Sequence, residues 1–178
     1  MCVILIKPAG VTMPKKAILN MMAAHNKHGF GFCSSSGRNF KTTNYNLFLR
    51  ELDKVTASEA CIVHMRWATH GSVCTSNCHP FYDNETGYWF AHNGVLPIAS
   101  VNNMTDSETA FRSRFVPALK TMSITSREFD DVVNNIRGYS RFAFMKGKDI
   151  YIYGDYKEMF GCYFSNDNWL PYTHRKAI

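Results

Sequence analysis

Short apolar segments occur at both ends of this chain and in its middle, and helical segments separate them, so their order restricts the fold. The strand-like segments cover residues 2–7, 29–33, 61–65, 89–92, 140–145, 149–153 and 161–164, and the helical ones cover 14–24, 44–55, 105–120 and 126–136. Strands followed by helices and then by closely spaced strands predict an α+β fold with antiparallel sheets, and not a doubly wound parallel sheet.

A length of 178 residues suits one compact domain, and we expect a single domain over residues 1–178. Hydrophobic residues make up 46% of the chain and aromatic residues 14%, which argues against disorder. The opening apolar run, residues 3–6, is much shorter than the roughly 20 residues of a membrane-spanning helix. It also lacks the flanking features of a signal peptide. We therefore expect neither membrane insertion nor export.

The charge and the cysteines point to an ordinary cytoplasmic protein. The formal net charge is +6, but basic and acidic residues are interspersed, and the longest basic run is residues 174–176. Nucleic-acid-binding proteins usually concentrate basic residues on one face, so we expect no nucleic-acid partner. The six cysteines are irregularly spaced, which favours reduced thiols in the cytoplasm over a disulfide framework.

Cys2 is the first candidate catalytic residue. Removal of Met1 would leave Cys2 at the N-terminus with a free α-amino group, whose reference pKa is about 7.7–8.0. Part of this amine is unprotonated near neutral pH and is placed to accept the proton of its own thiol. Because Cys2 begins a predicted strand, we expect its position to be fixed at the end of a sheet.

Three further positions have the chemistry of an amino-acid site. Arg66 follows a predicted strand, and its planar guanidinium suits a carboxylate. Asn93 and Gly94 place a side-chain amide beside a backbone N–H at a strand end, and two such donors suit an oxyanion. Asp106 begins a predicted helix and could bind an ammonium group. Together these groups describe a site in which a thiol attacks the side-chain carbonyl of an α-amino acid.

Five motifs then resemble one family in their order along the chain. They are Cys2, Arg-Trp-Ala-Thr-His-Gly at 66–71, Asn-Cys-His-Pro at 77–80, His-Asn-Gly at 92–94 and Thr-Asp-Ser-Glu at 105–108. This set resembles the class II glutamine amidotransferase domain, an N-terminal-nucleophile hydrolase. The likeness covers residues 2–108 and is only general beyond them.

The resemblance implies a fold, a reaction and a catalytic set. The fold is a four-layer αββα sandwich, in agreement with the α+β prediction. The reaction is hydrolysis of the glutamine side-chain amide: Cys2 attacks, its α-amino group acts as the general base, and ammonia leaves a γ-glutamyl thioester. Asn93 and Gly94 form the oxyanion hole. Neither a cofactor nor a metal ion is implied.

The resemblance also implies a set of substrate-binding residues. Arg66 binds the α-carboxylate of L-glutamine, Trp67, Thr69 and His70 lie beside it, and Asp106 holds the α-amino group. A Gly-containing loop near the nucleophile corresponds more loosely to residues 28–31. Val3 stands where the family often has glycine. Because the glutaminase-like unit accounts for the whole length, we expect any ammonia acceptor to be a separate synthase protein.

Three alternatives stay open at this level. Residues 28–33 resemble the aromatic signature of an RNA-binding module. Cys74, Cys78, His79 and His70 supply zinc-type ligands, although a second cysteine pair is missing. Within the same enzyme class, the site could hydrolyse another γ-glutamyl amide, since the amino-acid clamp does not recognise the leaving amine.

Overall fold

The computed structural model describes residues 1–68, 71–101 and 104–171. Within these ranges lie ten strands and five α-helices. The strands are β1 (Val3–Lys7), β2 (Phe30–Ser34), β3 (Asn39–Thr42), β4 (Cys61–Met65), β5 (Phe81–Tyr82), β6 (Trp89–Asn93), β7 (Arg141–Lys146), β8 (Asp149–Tyr153), β9 (Lys157–Met159) and β10 (Cys162–Phe164). The helices are α1 (Lys16–His25), α2 (Tyr45–Leu52), α3 (Asp106–Ala110), α4 (Val116–Thr121) and α5 (Arg127–Arg137).

The first sheet has the strand order β3-β2-β4-β1-β10-β9 and contains the chain's first strand near its centre. Antiparallel pairing places Val3 opposite Met65 on β4, and Met65 in turn opposite Phe30 on β2. Leu5 lies opposite Phe164 on β10. The start of β1, the end of β4 and the start of β2 therefore meet at one end of this sheet, with the exit of β10 beside them.

The second sheet has the order β5-β6-β7-β8 and is also antiparallel. The last residue of β6, Asn93, pairs with Arg141 at the start of β7. A π-helical turn, Phe111–Phe115, joins α3 to α4. The longest helix of this half, α5, starts at a Ser126 side chain that accepts a hydrogen bond from the Phe129 backbone N–H.

Three apolar clusters show how the layers stack. Alternate residues of β1 separate the faces of the first sheet: Val3 and Leu5 pack with α1 and α2, whereas Ile4 and Ile6 face the second sheet. On β6, Phe90 packs with α3, α4 and α5, whereas Ala91 faces the first sheet. The order is therefore helices, sheet, sheet, helices, and the predicted four-layer α+β sandwich is confirmed.

Most predicted elements occur within a few residues of their expected bounds. The strands that the sequence patterns did not predict are β3, β5 and β9, of two to four residues each. The predicted helix over 105–120 contains the π-helical turn in its middle. The Asn93-Gly94 dipeptide does not close a hairpin, because β6 pairs with β7, which follows it only after three helices.

Candidate active site

Cys2 lies immediately before β1, and its thiol contacts the chain that leaves β4. The Trp67 backbone N–H donates to Cys2 Sγ at 3.4 Å, and the thiol donates to Trp67 O at 3.5 Å. Burial raises the pKa of the Cys2 thiol, and the Trp67 backbone contact and the Arg66 charge oppose this rise. At neutral pH the thiol therefore keeps its proton and needs a base before it can attack.

The segment that begins at Arg66 is held from two sides. Arg66 is only 3% exposed, its backbone N–H donates to Gly29 O at 2.7 Å, and its Nη1 donates to Ser72 O at 2.8 Å. The Trp67 ring packs on the His28 ring with centroids 4.8 Å apart. The guanidinium is thus buried and oriented before any ligand arrives, which lowers the entropy cost of gripping a carboxylate.

Asn93 and Gly94 end β6 beside the start of β1. Asn93 is 1% exposed, and its side-chain amide lies 2.9 Å from Ser165 Oγ. Gly94 has φ of +151°, and a Cβ there would collide with Ser140 Oγ. The position therefore requires glycine, which leaves the backbone at the strand end accessible.

Asp106 begins α3, and its carboxylate is oriented by backbone N–H groups. Leu96 N donates to Oδ2 at 2.9 Å, and Ser107 N donates to Oδ1 at 2.8 Å. The preceding Thr105 caps the helix by accepting from Glu108 N at 3.2 Å. A negative charge in this first turn is favourable because the N-terminal end of a helix is partly positive.

One small cavity brings these parts together. Its volume is about 30 Å³, enough for a single small molecule such as water. Its walls include Cys2, Arg66, Trp67, Gly94 and Asp106 among the predicted site residues. Asn93 lies directly behind Gly94, and Thr69 and His70 fall outside the described residues.

Three buried histidines lie at this cavity: His79 and His92 line it, and His64 packs against His79. The His64 and His79 rings pack with centroids 4.2 Å apart, and the His79 and His92 centroids are 6.5 Å apart. Burial lowers the pKa of His64 to about 3, that of His92 to about 4, and that of His79 well below its usual value. All three are neutral at pH 7 and are too weakly basic to accept a thiol proton efficiently.

Sequence reasoning missed the contacts that connect these pieces. His64 Nε2 contacts His92 O at 3.0 Å across the two sheets, and Ser107 Oγ contacts His92 Nδ1 at 2.7 Å. Asn166 Nδ2 donates to Cys2 O at 2.7 Å. Asn166 and Ser165 follow β10, a region without a recognisable motif, so only their spatial position reveals them.

A much larger groove lies elsewhere and lacks the predicted chemistry. It has a volume of about 640 Å³ and lies between the start of α1 and α2. Its charged side chains are Lys16, Arg50 and Asp53. Among the residues that the structure describes, no thiol or imidazole lines this groove. Size alone therefore does not locate the site, and the small cavity at Cys2 is the better candidate.

The RNA-binding interpretation of residues 28–33 conflicts with the structure. Phe30 and Phe32 are each 2% exposed and pack on Phe48 of α2 at centroid distances of 5.5 and 6.3 Å. Neither ring is available to stack on a base. Gly31 serves a packing need, because a Cβ at this position would collide with the backbone of His79.

The two zinc-type cysteines have other partners. Cys78 Sγ is buried and donates to Thr42 O at 3.7 Å, and Cys74 Sγ lies 3.1 Å from Ser76 Oγ. Within residues 1–68, 71–101 and 104–171, no group of three or more His, Cys, Asp and Glu side chains is arranged to hold a metal ion. In the same ranges, no helix is both long and apolar enough to cross a membrane.

The four-layer sandwich of two antiparallel sheets between helices is the architecture of the N-terminal-nucleophile fold class, and a solved structure agrees. The chain is similar to glutamine phosphoribosylpyrophosphate amidotransferase from B. subtilis, with a TM-score of 0.59 and 17% identity over 92% of this chain and 41% of that one. At this identity the similarity shows the fold alone.

Sequence comparison identifies the family. Residues 25–177 match the family described as "Glutamine amidotransferases class-II", and the chain belongs to it. Among curated proteins, glutamine–fructose-6-phosphate aminotransferase of Shouchella clausii is 30% identical over 88 residues, 44% of this chain and 15% of that protein. The enzyme of the same name from Methanococcus maripaludis is 49% identical over 35 residues, 20% of this chain and 6% of that protein. The chain thus spans only a small part of these relatives.

Proposed function

We propose that this chain is a glutaminase unit that hydrolyses the side-chain amide of L-glutamine through Cys2 after removal of Met1. Family membership supports the reaction class. The observation that carries the proposal is the convergence of the Cys2 thiol, the Arg66 guanidinium, Gly94 and Asp106 on one cavity. Those groups match the thiol, carboxylate, oxyanion and ammonium parts of the reaction.

The freed α-amino group of Cys2 is the general base. The burial-raised pKa of the thiol requires a base, and the neighbouring histidines His79 and His92 are poor candidates because burial lowers their own pKa values. The α-amine takes the thiol proton while Sγ bonds to the amide carbon. It then returns a proton to the leaving nitrogen as the C–N bond breaks, and ammonia departs. Water attacks the resulting thioester, which releases glutamate and restores the thiol.

Each remaining predicted residue has one role in this proposal. Asn93 Nδ2 and the Gly94 N–H hold the oxyanion, Arg66 grips the α-carboxylate beside Trp67, and Asp106 holds the α-amino group. Thr69 and His70 complete the substrate-binding set by resemblance to the family.

We further propose that residues 1–178 act as one glutaminase-type domain whose ammonia passes to a separate acceptor enzyme. The relatives with "aminotransferase" in their names are much longer than this chain, which supports an acceptor unit outside it. Six free thiols support a reducing, cytoplasmic location. No cofactor takes part in the proposed steps.

The test is intact-mass analysis before and after exposure to 6-diazo-5-oxo-L-norleucine, an electrophilic glutamine analogue. We expect loss of Met1, one adduct on Cys2, and protection by excess glutamine. Cys2→Ala should take no adduct and lose all glutamine turnover, with an unchanged thermal midpoint. A Cys2→Ala protein that still hydrolyses glutamine would refute the mechanism.

Substrate specificity is measured in the same assay series. L-glutamine, L-asparagine and a γ-glutamyl methylamide are compared by release of ammonia or methylamine. We expect glutamine to exceed asparagine strongly, because the clamp fixes the distance from the α-carbon to the attacked carbonyl. Faster turnover of the methylamide would favour a broader γ-glutamyl amidase, and equal rates for glutamine and asparagine would contradict a glutamine-specific site.

A further inference from the structure

Ser165 joins the strand that carries the nucleophile to the strand that carries the oxyanion donors. The backbones of Ser165 and Ile4 are linked by Ser165 N–H donating to Ile4 O at 2.9 Å. Ile4 N donates to Ser165 Oγ at 2.8 Å. The same Oγ lies 2.9 Å from the Asn93 side-chain amide, and Ser165 is 2% exposed. A single hydroxyl thus touches both sheets, beside Cys2 and Gly94.

The hydrogen-bond inventory of this contact favours one orientation of the Asn93 amide. When Nδ2 faces Ser165, Oγ accepts from both Ile4 N and Asn93, and the buried Oδ1 of Asn93 has no partner. A half-turn of the amide exchanges its oxygen and nitrogen, which have nearly the same shape. The Ser165 hydroxyl then donates to Oδ1, while Ile4 N still donates to Oγ. Either orientation leaves one buried amide atom unpaired, at about 1–3 kcal/mol. Only the rotated amide also gives the Ser165 hydroxyl proton an acceptor, because Oγ otherwise only accepts, and this favours the rotated amide.

The rotated amide has a free donor where the unpaired oxygen was. Nδ2 then lacks a protein partner in the resting enzyme and is available to an oxygen that develops negative charge. The same dipeptide fixes the nucleophile as well, because Asn166 Nδ2 donates to Cys2 O at 2.7 Å. Asn166 itself is anchored by the buried Trp169, whose Nε1 donates to Asn166 O at 2.9 Å.

We propose that Ser165 is a positioning residue: its hydroxyl donates to Asn93 Oδ1 and thereby turns Nδ2 of Asn93 toward the oxyanion. This inference rests on the proposed glutaminase function. Ser165 does not touch the substrate, so its effect should appear in kcat and leave KM for glutamine nearly unchanged.

The activity test compares Ser165→Ala, Asn93→Ala and the double variant. Loss of an oxyanion donor typically costs about 10²–10³ in rate, which we expect for Asn93→Ala. Ser165→Ala keeps the donor but frees its orientation, so we expect a smaller loss of kcat, about tenfold. The double variant should be no slower than Asn93→Ala, because Ser165 acts through that side chain. Ser165→Thr keeps the hydroxyl and should retain most of the activity.

Two controls separate this role from a loss of structure. Ser34 is an equally buried serine at the opposite end of the same sheet, where its Oγ donates to Glu59 at 2.7 Å. Ser34→Ala should therefore leave kcat unchanged. Alkylation of Cys2 by iodoacetamide needs no oxyanion hole and should be equally fast in Ser165→Ala and wild type. An unchanged kcat in Ser165→Ala, or losses in the double variant that multiply, would overturn the proposal.

A measurement without substrate distinguishes a failure of this inference from a failure of the glutaminase proposal. Nuclear Overhauser contacts of the Asn93 Nδ2 protons report the amide orientation directly. We expect no strong contact to the Ser165 Hβ protons in the wild type. A strong contact would show that Nδ2 faces Ser165 and would overturn the positioning role, even if glutamine is a substrate. If instead the wild type does not hydrolyse glutamine, the proposed function fails, and this spectrum alone decides the amide orientation.

Discussion

Two regions of the molecule follow opposite rules of packing. The side of the second sheet that faces α3, α4 and α5 is an aromatic layer made of Phe90, Phe111, Phe115, Phe129, Phe142 and Phe144, all 0% exposed. At the other extreme, the end of the sandwich near Cys2 holds buried imidazoles and amides. We call this second region the polar end, and it comprises His64, His79, His92, Asn93 and Ser165.

The rings of the aromatic layer pack closely on one another, as in a stabilising hydrophobic core. Phe144 packs against Phe90, Phe115 and Phe129 with ring centroids 4.9, 5.3 and 5.7 Å apart. Most of these contacts are tilted or edge-on, which suits the ring quadrupoles. The six rings themselves carry no polar atom, so their burial is favourable without any compensating hydrogen bond.

Burial of side chains in the polar end, in contrast, carries a free-energy cost. Among the described residues, six buried side-chain N or O atoms have no hydrogen-bond partner, and five of them belong to His64, His79, His92 and Asn93. Unpartnered buried polar atoms are few in native proteins and each requires an explanation. Their concentration beside one thiol indicates that stability is given up here for chemistry, whereas the aromatic layer carries the fold.

The largest effect on stability should come from the aromatic layer. Phe144→Ala removes a fully buried ring and should lower the free energy of unfolding by about 3–5 kcal/mol. Because Phe144 faces away from Cys2, kcat for glutamine should stay near the wild-type value at temperatures where the variant is folded. Urea denaturation and steady-state kinetics measure the two quantities. Ile152→Ala, at a side chain 41% exposed on β8, is the matched control and should change stability by less than about 1 kcal/mol.

A large drop in kcat for folded Phe144→Ala would break the distinction between the two regions. It would show that the site depends on the packing of the opposite face.

Arg66 lines the same cavity as His79 and His92 of the polar end, and its substitution tests the chemistry of that region. Arg66→Ala removes the carboxylate clamp and should raise KM for glutamine by about 10- to 100-fold, since hydrogen bonds to charged groups contribute about 1.5–3 kcal/mol. Ground state and transition state lose the clamp equally, so kcat should change little. Arg66→Lys keeps the charge but lacks the planar guanidinium, so its KM for glutamine should lie between those of the wild type and Arg66→Ala.

The matched control for Arg66 is a substrate change. The α-amide of glutamine lacks the carboxylate charge, so Arg66→Ala should handle it no worse than the wild type does. An equal loss on both substrates would mean that Arg66 acts mainly by holding Ser72 O, a contact of its Nη1, and not as a clamp.

Sequence information was sufficient for the strands and helices that carry the aromatic layer and for several residues of the candidate site. Short apolar runs at 89–91 and 142–145 predict the strands β6 and β7, because a short apolar run is a local property of the sequence. Cys2, Arg66 and Asp106 follow from residue types at strand and helix ends. Ser165 and Asn166 could not be predicted, because their roles depend on pairing between β1 and β10, more than 150 positions apart. A two-residue strand such as β5 likewise has no periodicity to detect.

The smallest predicted effect is a pH dependence of stability that originates in the polar end. Burial lowers the pKa of His64 to about 3, against an ordinary value of about 6.5 in the unfolded chain. At neutral pH His64 is uncharged in both states, so its titration contributes nothing to the free energy of unfolding there. Below about pH 6.5 His64 binds a proton in the unfolded state but not in the folded state. The free energy of unfolding therefore decreases by up to about 1.4 kcal/mol per pH unit, until the pH approaches the pKa of His64 in the folded state.

His64→Gln removes this titration and keeps a donor that can reach His92 O, the partner of His64 Nε2. Between pH 5.5 and 4.5 the free energy of unfolding of the wild type should therefore fall more steeply than that of His64→Gln, by about 1.4 kcal/mol. Urea midpoints at closely spaced pH values measure the difference. His25→Gln is the control, because that side chain is exposed on α1 and should leave the gradient unchanged. If the free energy of unfolding has the same pH dependence in the wild type and in His64→Gln, the folded protein binds a proton at His64. The polar end would then be hydrated, and not a dry cluster of neutral side chains.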